Sequence, residues 1–346
     1  MKIVAFGNPL LDTTIFIENG ILFEKYNLEE DGQKEISENE MENLNRDISG
    51  STQYNTAGGC AQNSLRVLQW LTKKQCEATI FGSVGNDKEA VLLKKLLHDD
   101  GVETRYIVQN NLRTGKTIAL IKGQSRSLVA YIGAAEKLPL EDLLANKNFH
   151  AKVKSCDLVY IEGFFLTNRT ETARYILDFC NRQNLIVAFN ISGEYICDLL
   201  PDTVRHCIEH SDIVFGNKRE FEAIRKVMKL DSIEDLTSRL TKNGLGRIKE
   251  HGNIIVITDG PKSGTCVSRE RAFKFEVPKI LEHEFRDTTG AGDAFTGGFI
   301  AGFCSNKGLS ECARIGCYAA NQIIRQVGCS LPEFTPNILD FSNSSS

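Results

Sequence analysis

Asp287-Thr288-Thr289-Gly290-Ala291-Gly292-Asp293-Ala294-Phe295-Thr296-Gly297-Gly298 opens on two hydroxyl residues suited to cap a helix. Apolar residues then recur at helical spacing through Phe295, Phe299, Ile300 and Phe303. A glycine inside a helix costs about 1 kcal/mol relative to alanine. Gly290, Gly292, Gly297, Gly298 and Gly302 together are a heavy load for one segment. The load has a purpose if the first turn presents bare N–H groups to an anion while the rest of the helix packs closely on a neighbour. The positive end of the helix dipole and its unpaired amides then form a phosphate cradle. Asp293, one turn in, points a carboxylate at whatever the cradle holds.

Upstream of this segment the chain alternates. Residues 158–161, 186–189, 213–215 and 254–257 are short apolar runs with the length of buried strands, separated by helix-like segments at 170–182, 218–228 and 233–240. Strands alternating with helices imply βαβ units and a parallel sheet covered on both faces. Two helices, 291–304 and 309–325, close the chain before a frayed tail at 342–346. The first 150 residues are less regular. A strand at 3–6, a helix at 60–71, a strand at 78–81 and a helix at 88–97 belong to the same α/β body. Of residues 13–17, 33–36, 105–108, 117–121 and 128–132, several alternate apolar and polar side chains as half-exposed strands do, and the five assemble as a small second sheet, a lid over a cleft. The expected division is a large α/β domain at 1–12, 50–103 and 138–340, with a lid at 13–49 and 104–137.

The chain has 346 residues, 41% hydrophobic and 25% charged, which excludes a disordered or collagen-like polymer. Lys+Arg 41 against Asp+Glu 45 leaves a net charge of −4, so there is no basic surplus for nucleic-acid binding. No apolar run approaches the roughly 20 residues of a membrane span. Eleven scattered cysteines without a Cys-x-x-Cys pair fit reduced thiols. With an N-terminus that reads as a strand and not a signal peptide, the expected location is the cytoplasm, with the nucleus left open. His206 and His210 lie four apart on an expected helix, but with no third ligand nearby they read as a solvated face and not a metal site.

Two common phosphate motifs fail. The chain has no Gly-x-x-x-x-Gly-Lys-Ser/Thr, and its first strand runs into Gly7-Asn8-Pro9-Leu10-Leu11-Asp12 where a dinucleotide fingerprint would stand, which argues against a nicotinamide-dependent dehydrogenase. Three other elements occur in order: Ala57-Gly58-Gly59-Cys60-Ala61-Gln62-Asn63, a glycine pair leading into a helix; Asn217-x-x-Glu220 after a strand; and the Asp-Thr-x-Gly-Ala-Gly-Asp segment. Together they resemble the ribokinase-like family of sugar and nucleoside kinases, over nearly the whole chain. The resemblance implies a three-layer body with a mainly parallel central sheet plus a small β-sheet lid.

Within that family the glycine pair, Gly7–Asp12, Gly163-Phe164-Phe165-Leu166-Thr167 and Gly328-Cys329 are similar to the branch acting on adenosine. Two departures are mild. Cys60 stands where serine is frequent, touching pocket packing, and Cys317 stands where some members have histidine, touching contacts to the ATP base. The implied reaction is phosphoryl transfer from ATP to the adenosine 5′-hydroxyl with Mg2+, giving AMP and ADP, by a monomer with no nucleic-acid or membrane partner. Two rivals stay open: a related nucleoside or sugar kinase, and a nucleoside-binding sensor that performs no transfer.

The resemblance also implies roles. Asp293 is the base, the amides of Gly290, Ala291 and Gly292 form the anion hole, and Arg126 closes from the lid over the transferring phosphate. Asp12 accepts hydrogen bonds from both ribose hydroxyls, which suits a carboxylate; Asn63 and the backbone of Gly58 and Gly59 complete the clamp. Leu128, Ala130 and Ile132 form a lid wall for the purine against Phe164 and Tyr195, and Gln33, Asn8, Leu10 and Cys60 also face the substrate. Asn217, Glu220, Thr258, Gly260 and Asn321 belong to the ATP side, with Glu220 near magnesium, through water. Cys60, at a helix start, is also a candidate reactive thiolate.

Overall fold

The computed structural model describes residues 1–30, 32–123, 125–242 and 246–339. The expected tail at 342–346 lies outside the described residues. In chain order the strands are β1 (Lys2–Phe6), β2 (Leu10–Phe16), β3 (Gln33–Glu35), β4 (Tyr54–Gly58), β5 (Glu77–Gly85), β6 (Val102–Gln109), β7 (Gly115–Lys122), β8 (Ser125–Tyr131), β9 (Leu158–Glu162), β10 (Ile186–Asn190), β11 (Ile213–Asn217), β12 (Ile254–Asp259), β13 (Lys262–Val267) and β14 (Ala272–Phe275). They form two sheets, ordered β14-β13-β12-β11-β10-β9-β1-β5-β6 and β3-β8-β7-β2-β4.

The large sheet is parallel from β12 through β6, and only the β12–β13 and β13–β14 pairings are antiparallel. Its strands are apolar on both faces because both faces are covered. Ile3, Ala5, Leu158 and Ile254 point to one core, with the helices Cys60–Leu71, Ala291–Cys304 and Leu309–Ile323. Val4, Phe6, Val159 and Ile255 point to the other, with the helices Thr170–Arg182, Lys218–Val227 and Ile233–Lys242. Period-two alternation between two dry cores gives the three expected layers. Among the described residues no helix is long and apolar enough to cross a membrane.

The small sheet has one covered face. Ile15, Ile118, Leu120 and Val129 pack against Phe23, Tyr26, Met41, Leu44 and Ile48 from the short helices Ile21–Tyr26 and Glu38–Asp47. A capping box at Ser37 and Glu40 starts the second of these. The opposite face, with Asp12, Ala119, Arg126, Leu128 and Ala130, remains half-exposed.

Two strands depart from the expected grouping. The stretch 105–108 lies in β6, which pairs parallel with β5 (Phe81 with Arg105, Ser83 with Ile107) and forms an edge of the large sheet. An edge strand is half-exposed like a lid strand, so half-exposure does not report membership. Conversely β4, expected within the large body, pairs antiparallel with β2 at the edge of the small sheet.

The helices Cys60–Leu71 and Ala291–Cys304 cross at glycine. A Cβ on Gly297 would lie 2.3 Å from the Ser64 carbonyl oxygen. Gly297→Val therefore forces the two helices apart, and overpacking of this kind costs about 1–3 kcal/mol. Urea unfolding should read that loss directly; an unchanged unfolding midpoint would show that the contact is loose.

Candidate active site

The carboxyl ends of the parallel strands open on a cleft of about 550 Å3, where open α/β sheets place ligands. The Ala291–Cys304 helix enters it through a pinned turn. Gly290 has φ 75°, a left-handed conformation, and a Cβ there would lie 2.7 Å from the Cys329 side chain. Asp287 braces the turn: its Oδ1 accepts from the Thr289 amide and hydroxyl, both at 2.9 Å, and its Oδ2 accepts from the Gly328 amide at 3.1 Å. The Ala291 amide donates to the Thr288 carbonyl at 3.1 Å. This corrects the expected cradle, because Ala291 is engaged by the turn itself. The amides of Gly290 and Gly292, with that of Asp293 in the same turn, are the ones left to meet an anion. Nothing lies within 4 Å of a Cβ built on Gly292, so the backbone there is bare toward the cleft.

Asp293 is held from the Cys60 helix. Asn63 Nδ2 donates to its Oδ2 at 2.9 Å, Ser64 Oγ donates to its carbonyl at 3.0 Å, and the Cys60 thiol hydrogen-bonds its carboxylate. Burial raises the Asp293 pKa above the ordinary carboxyl value, while the Asn63 and Cys60 bonds oppose that shift. Asn63, 3% exposed, gives one Nδ2 hydrogen to Asp293, and its Oδ1 faces Arg66 Nη1 at 3.5 Å.

Cys60 also departs from expectation. Burial, then the charges of Asp293 and Glu162, push its thiol well above the ordinary range, and these outweigh the helix dipole. We therefore expect iodoacetamide at pH 7.5 to leave Cys60 largely unmodified, as read by peptide mass mapping. Rapid alkylation that a nucleoside blocks would refute this.

Asp12 sits on β2 and not in the loop after β1. It is flanked by Thr56 on β4 and Thr117 on β7, whose hydroxyl bonds it. Its carboxyl lies over Gly58, where a Cβ would come within 2.1 Å of Asp12 Cγ. Gly59, at φ 88°, brings the chain so close to Asn8 that a Cβ would lie 2.0 Å from the Asn8 carbonyl. Burial raises Asp12 to about 7; Thr117 and Arg66 oppose this, and Asp293 adds to it. Leu10 is half-exposed beside it. Asn8 is 7% exposed; its backbone amide donates to Glu162, and its Oδ1 accepts from Arg169 Nη2 at 2.6 Å.

On the small sheet, Arg126, Leu128 and Ala130 share one face of β8, and Gln33 on β3 pairs with Leu128. Ile132 lies just past the end of β8 and is half-exposed. On the large domain Phe164 and Tyr195 stack at 5.9 Å and 27°, with Tyr195 59% exposed. Arg126 Nη1 donates to Asp287 Oδ1 at 2.8 Å. This ion pair ties the small sheet to the turn that precedes the anion cradle.

Asn217, Glu220, Thr258 and Gly260 line the same cleft as Gly292, Asp293 and Cys60. Asn217 and Glu220 form a reciprocal capping box. Asn217 Oδ1 accepts from the Glu220 amide at 3.0 Å, and Glu220 accepts from the Asn217 backbone and side-chain nitrogens, each at 2.8 Å. Burial, with the charges of Glu194 and Asp293, raises Glu220 to about 7 despite the Asn217 amide. No group of three metal-type side chains occurs among the described residues. Asn321 does not line this cleft; it donates to the Pro278 carbonyl at 3.3 Å. Sequence reasoning missed Asn190, Ser192, Lys218 and Thr296, which line the cleft, with Asn190 Nδ2 donating to Thr296 Oγ1 at 3.1 Å. The signal available was position, since Asn190 ends β10 at the same carboxyl edge.

Residues 35–336 match the pfkB family of carbohydrate kinases. The chain is 30% identical to adenosine kinase 1 of Arabidopsis thaliana over 342 residues, covering 96% of each chain. It is 30% identical to the adenosine kinase of Dictyostelium discoideum over 341 residues, covering 98% of each. It superposes on the crystal structure of Anopheles gambiae adenosine kinase in complex with P1,P4-di(adenosine-5) tetraphosphate with a TM-score of 0.82, at 28% identity, covering 96% of this chain and 98% of that one.

Proposed function

Because the chain belongs to the pfkB family of carbohydrate kinases, we propose that it transfers the γ-phosphoryl group of ATP to the 5′-hydroxyl of adenosine, giving AMP and ADP. The observation that carries this reading is the position of Asp293. Its carboxylate stands at the start of a helix whose bare amides face the cleft; Asn63, of the helix that follows the Gly58-Gly59 pair, donates to that carboxylate, and Ser64 of the same helix donates to the Asp293 backbone carbonyl.

The ribose sits against Asp12, whose carboxylate accepts from both vicinal hydroxyls. The purine lies between Leu128, Ala130 and Ile132 of the small sheet and the Phe164–Tyr195 stack, with Gln33 and Leu10 at its edges. Asp293 takes the proton of the 5′-oxygen as that oxygen attacks phosphorus, while the ADP oxygen leaves with the pair of electrons from the broken bond. The amides of Gly290, Gly292 and Asp293 meet the charge on the transferred group. Arg126 exchanges Asp287 for that group as the small sheet closes as a lid, and closure excludes water. Thr258 and Gly260 flank the nucleotide base, and Asn217 and Glu220 shape the phosphate end. Glu220 already accepts two hydrogen bonds from Asn217, so it would hold a magnesium through water and not directly. Magnesium would supply charge neutralisation there.

The test is a panel of adenosine, inosine, ribose and fructose with MgATP, following ADP release and identifying the product. Adenosine-dependent formation of 5′-AMP supports the reading. Preference for a free sugar moves the chain to another branch of the family, and binding without turnover leaves a sensor.

A further inference from the structure

The nucleoside side of the cleft hangs on a carboxylate that lies beneath it. Glu162 ends β9 and is fully buried. Its Oε1 accepts from the Asn8 amide at 2.6 Å and its Oε2 accepts from the Ala61 amide. Neither amide has a ladder or helix partner to replace it: Asn8 lies in the turn between β1 and β2, and Ala61 lies in the first turn of the Cys60 helix. The three segments meet so closely that a Cβ on Gly7 would lie 2.5 Å from Ala61 Cβ and 2.9 Å from Glu162 Cδ. Arg169, 3% exposed, supplies the nearby positive charge without touching the carboxylate. Its Nη2 donates instead to Asn8 Oδ1 at 2.6 Å and its guanidinium lies 4.6 Å over the Phe165 ring. A buried carboxylate is costly where a neutral amide of the same shape fits. What the carboxylate alone offers is two acceptor oxygens for two backbone donors.

We infer that Glu162 is a positioning residue for nucleoside binding, holding the Asn8 and Ala61 amides together so that β2, with Asp12, and the Cys60 helix, with Asn63, keep a fixed separation. This rests on the reading of Asp12 as the ribose ligand. The nucleotide side is built on β11 and β12 and does not pass through Glu162. In Glu162→Gln one oxygen becomes an NH2 group facing an N–H, so one segment loses its anchor. Glu162→Asp keeps the charge but is one methylene short of reaching both.

The experiment compares the full-length parent with both variants, varying adenosine and ATP separately and following hydrogen–deuterium exchange of the peptides around Asn8 and Ala61. Loss of one hydrogen bond to a charged group corresponds to about a tenfold or larger rise in the adenosine KM. The ATP KM should stay within about twofold, since its contacts are untouched. Exchange should quicken at Asn8, Ala61 or both. An equal rise in both KM values, or an unchanged adenosine KM in a folded variant, overturns the inference. If Glu162→Gln fails to fold, Glu162→Asp carries the same comparison. A parent that phosphorylates another member of the panel overturns the substrate reading alone, and the same KM split measured with that compound then decides on Glu162.

Discussion

Asp293→Asn lowers kcat by about 10²–10⁴-fold, the usual contribution of a general base. The substitution preserves size and the capacity to accept from Asn63 Nδ2 while removing the group that takes the proton. Its position favours the task. The carboxylate is buried enough for its pKa to rise above the ordinary value, which strengthens it as a base, yet Asn63 and Cys60 donate to it and favour the ionised form. Adenosine affinity should stay within about threefold, because the ribose and purine contacts lie elsewhere. Rapid-quench measurement of the chemical step separates this from slow product release. A folded Asp293→Asn protein with near-parental turnover would refute Asp293 as the base, whatever the family.

Asp12→Ala acts on binding instead. Each hydrogen bond to a charged group contributes about 1.5–3 kcal/mol, so losing even one of two raises the adenosine KM by about 10–150-fold. Nucleosides lacking the 2′-hydroxyl should be poorer substrates of the parent, and that preference should shrink in the variant. A pH dependence follows from burial, which raises Asp12 to about 7. Only the ionised carboxylate accepts from both hydroxyls, so adenosine affinity strengthens as pH rises through about 7 and weakens below it. Folding stability moves the other way. Between the ordinary carboxyl value and about 7 the native state holds a proton that the unfolded chain has released, so this group's contribution to stability falls as pH rises. Calorimetric titration of adenosine at pH 6 and 8 reads the first effect. A flat profile in the parent, or the same slope in Asp12→Asn, would remove Asp12 from the ribose.

The small sheet carries Arg126, whose ion pair with Asp287 joins it to the turn before the Ala291 helix. Such a clasp suits an element that must open. Aspartate 287 is held below its ordinary value, because the Thr289 amide, Arg126 and the Thr289 hydroxyl together outweigh the effect of burial. It therefore stays ionised and competes with phosphate for the same guanidinium.

What the sequence determined by itself was local chemistry. The glycine-loaded start of the Ala291 helix, the capping pair Asn217 and Glu220, and the apolar runs of β9 to β12 are each specified by residues within a few positions of one another, and backbone geometry at that range follows from side-chain type. Tertiary structure alone decided partners. Asn63 meets Asp293 across 230 residues, Asn8 meets Arg169 across 161 and Ala61 meets Glu162 across 101, so nothing near these residues in the sequence marks the partners they take. The same holds for β6, whose half-exposure is the signature of any edge, and for Cys60, where burial, then two carboxylates brought by distant segments, push the thiol up. Which face a residue presents is written in its neighbours; which charge it meets depends on where the chain returns.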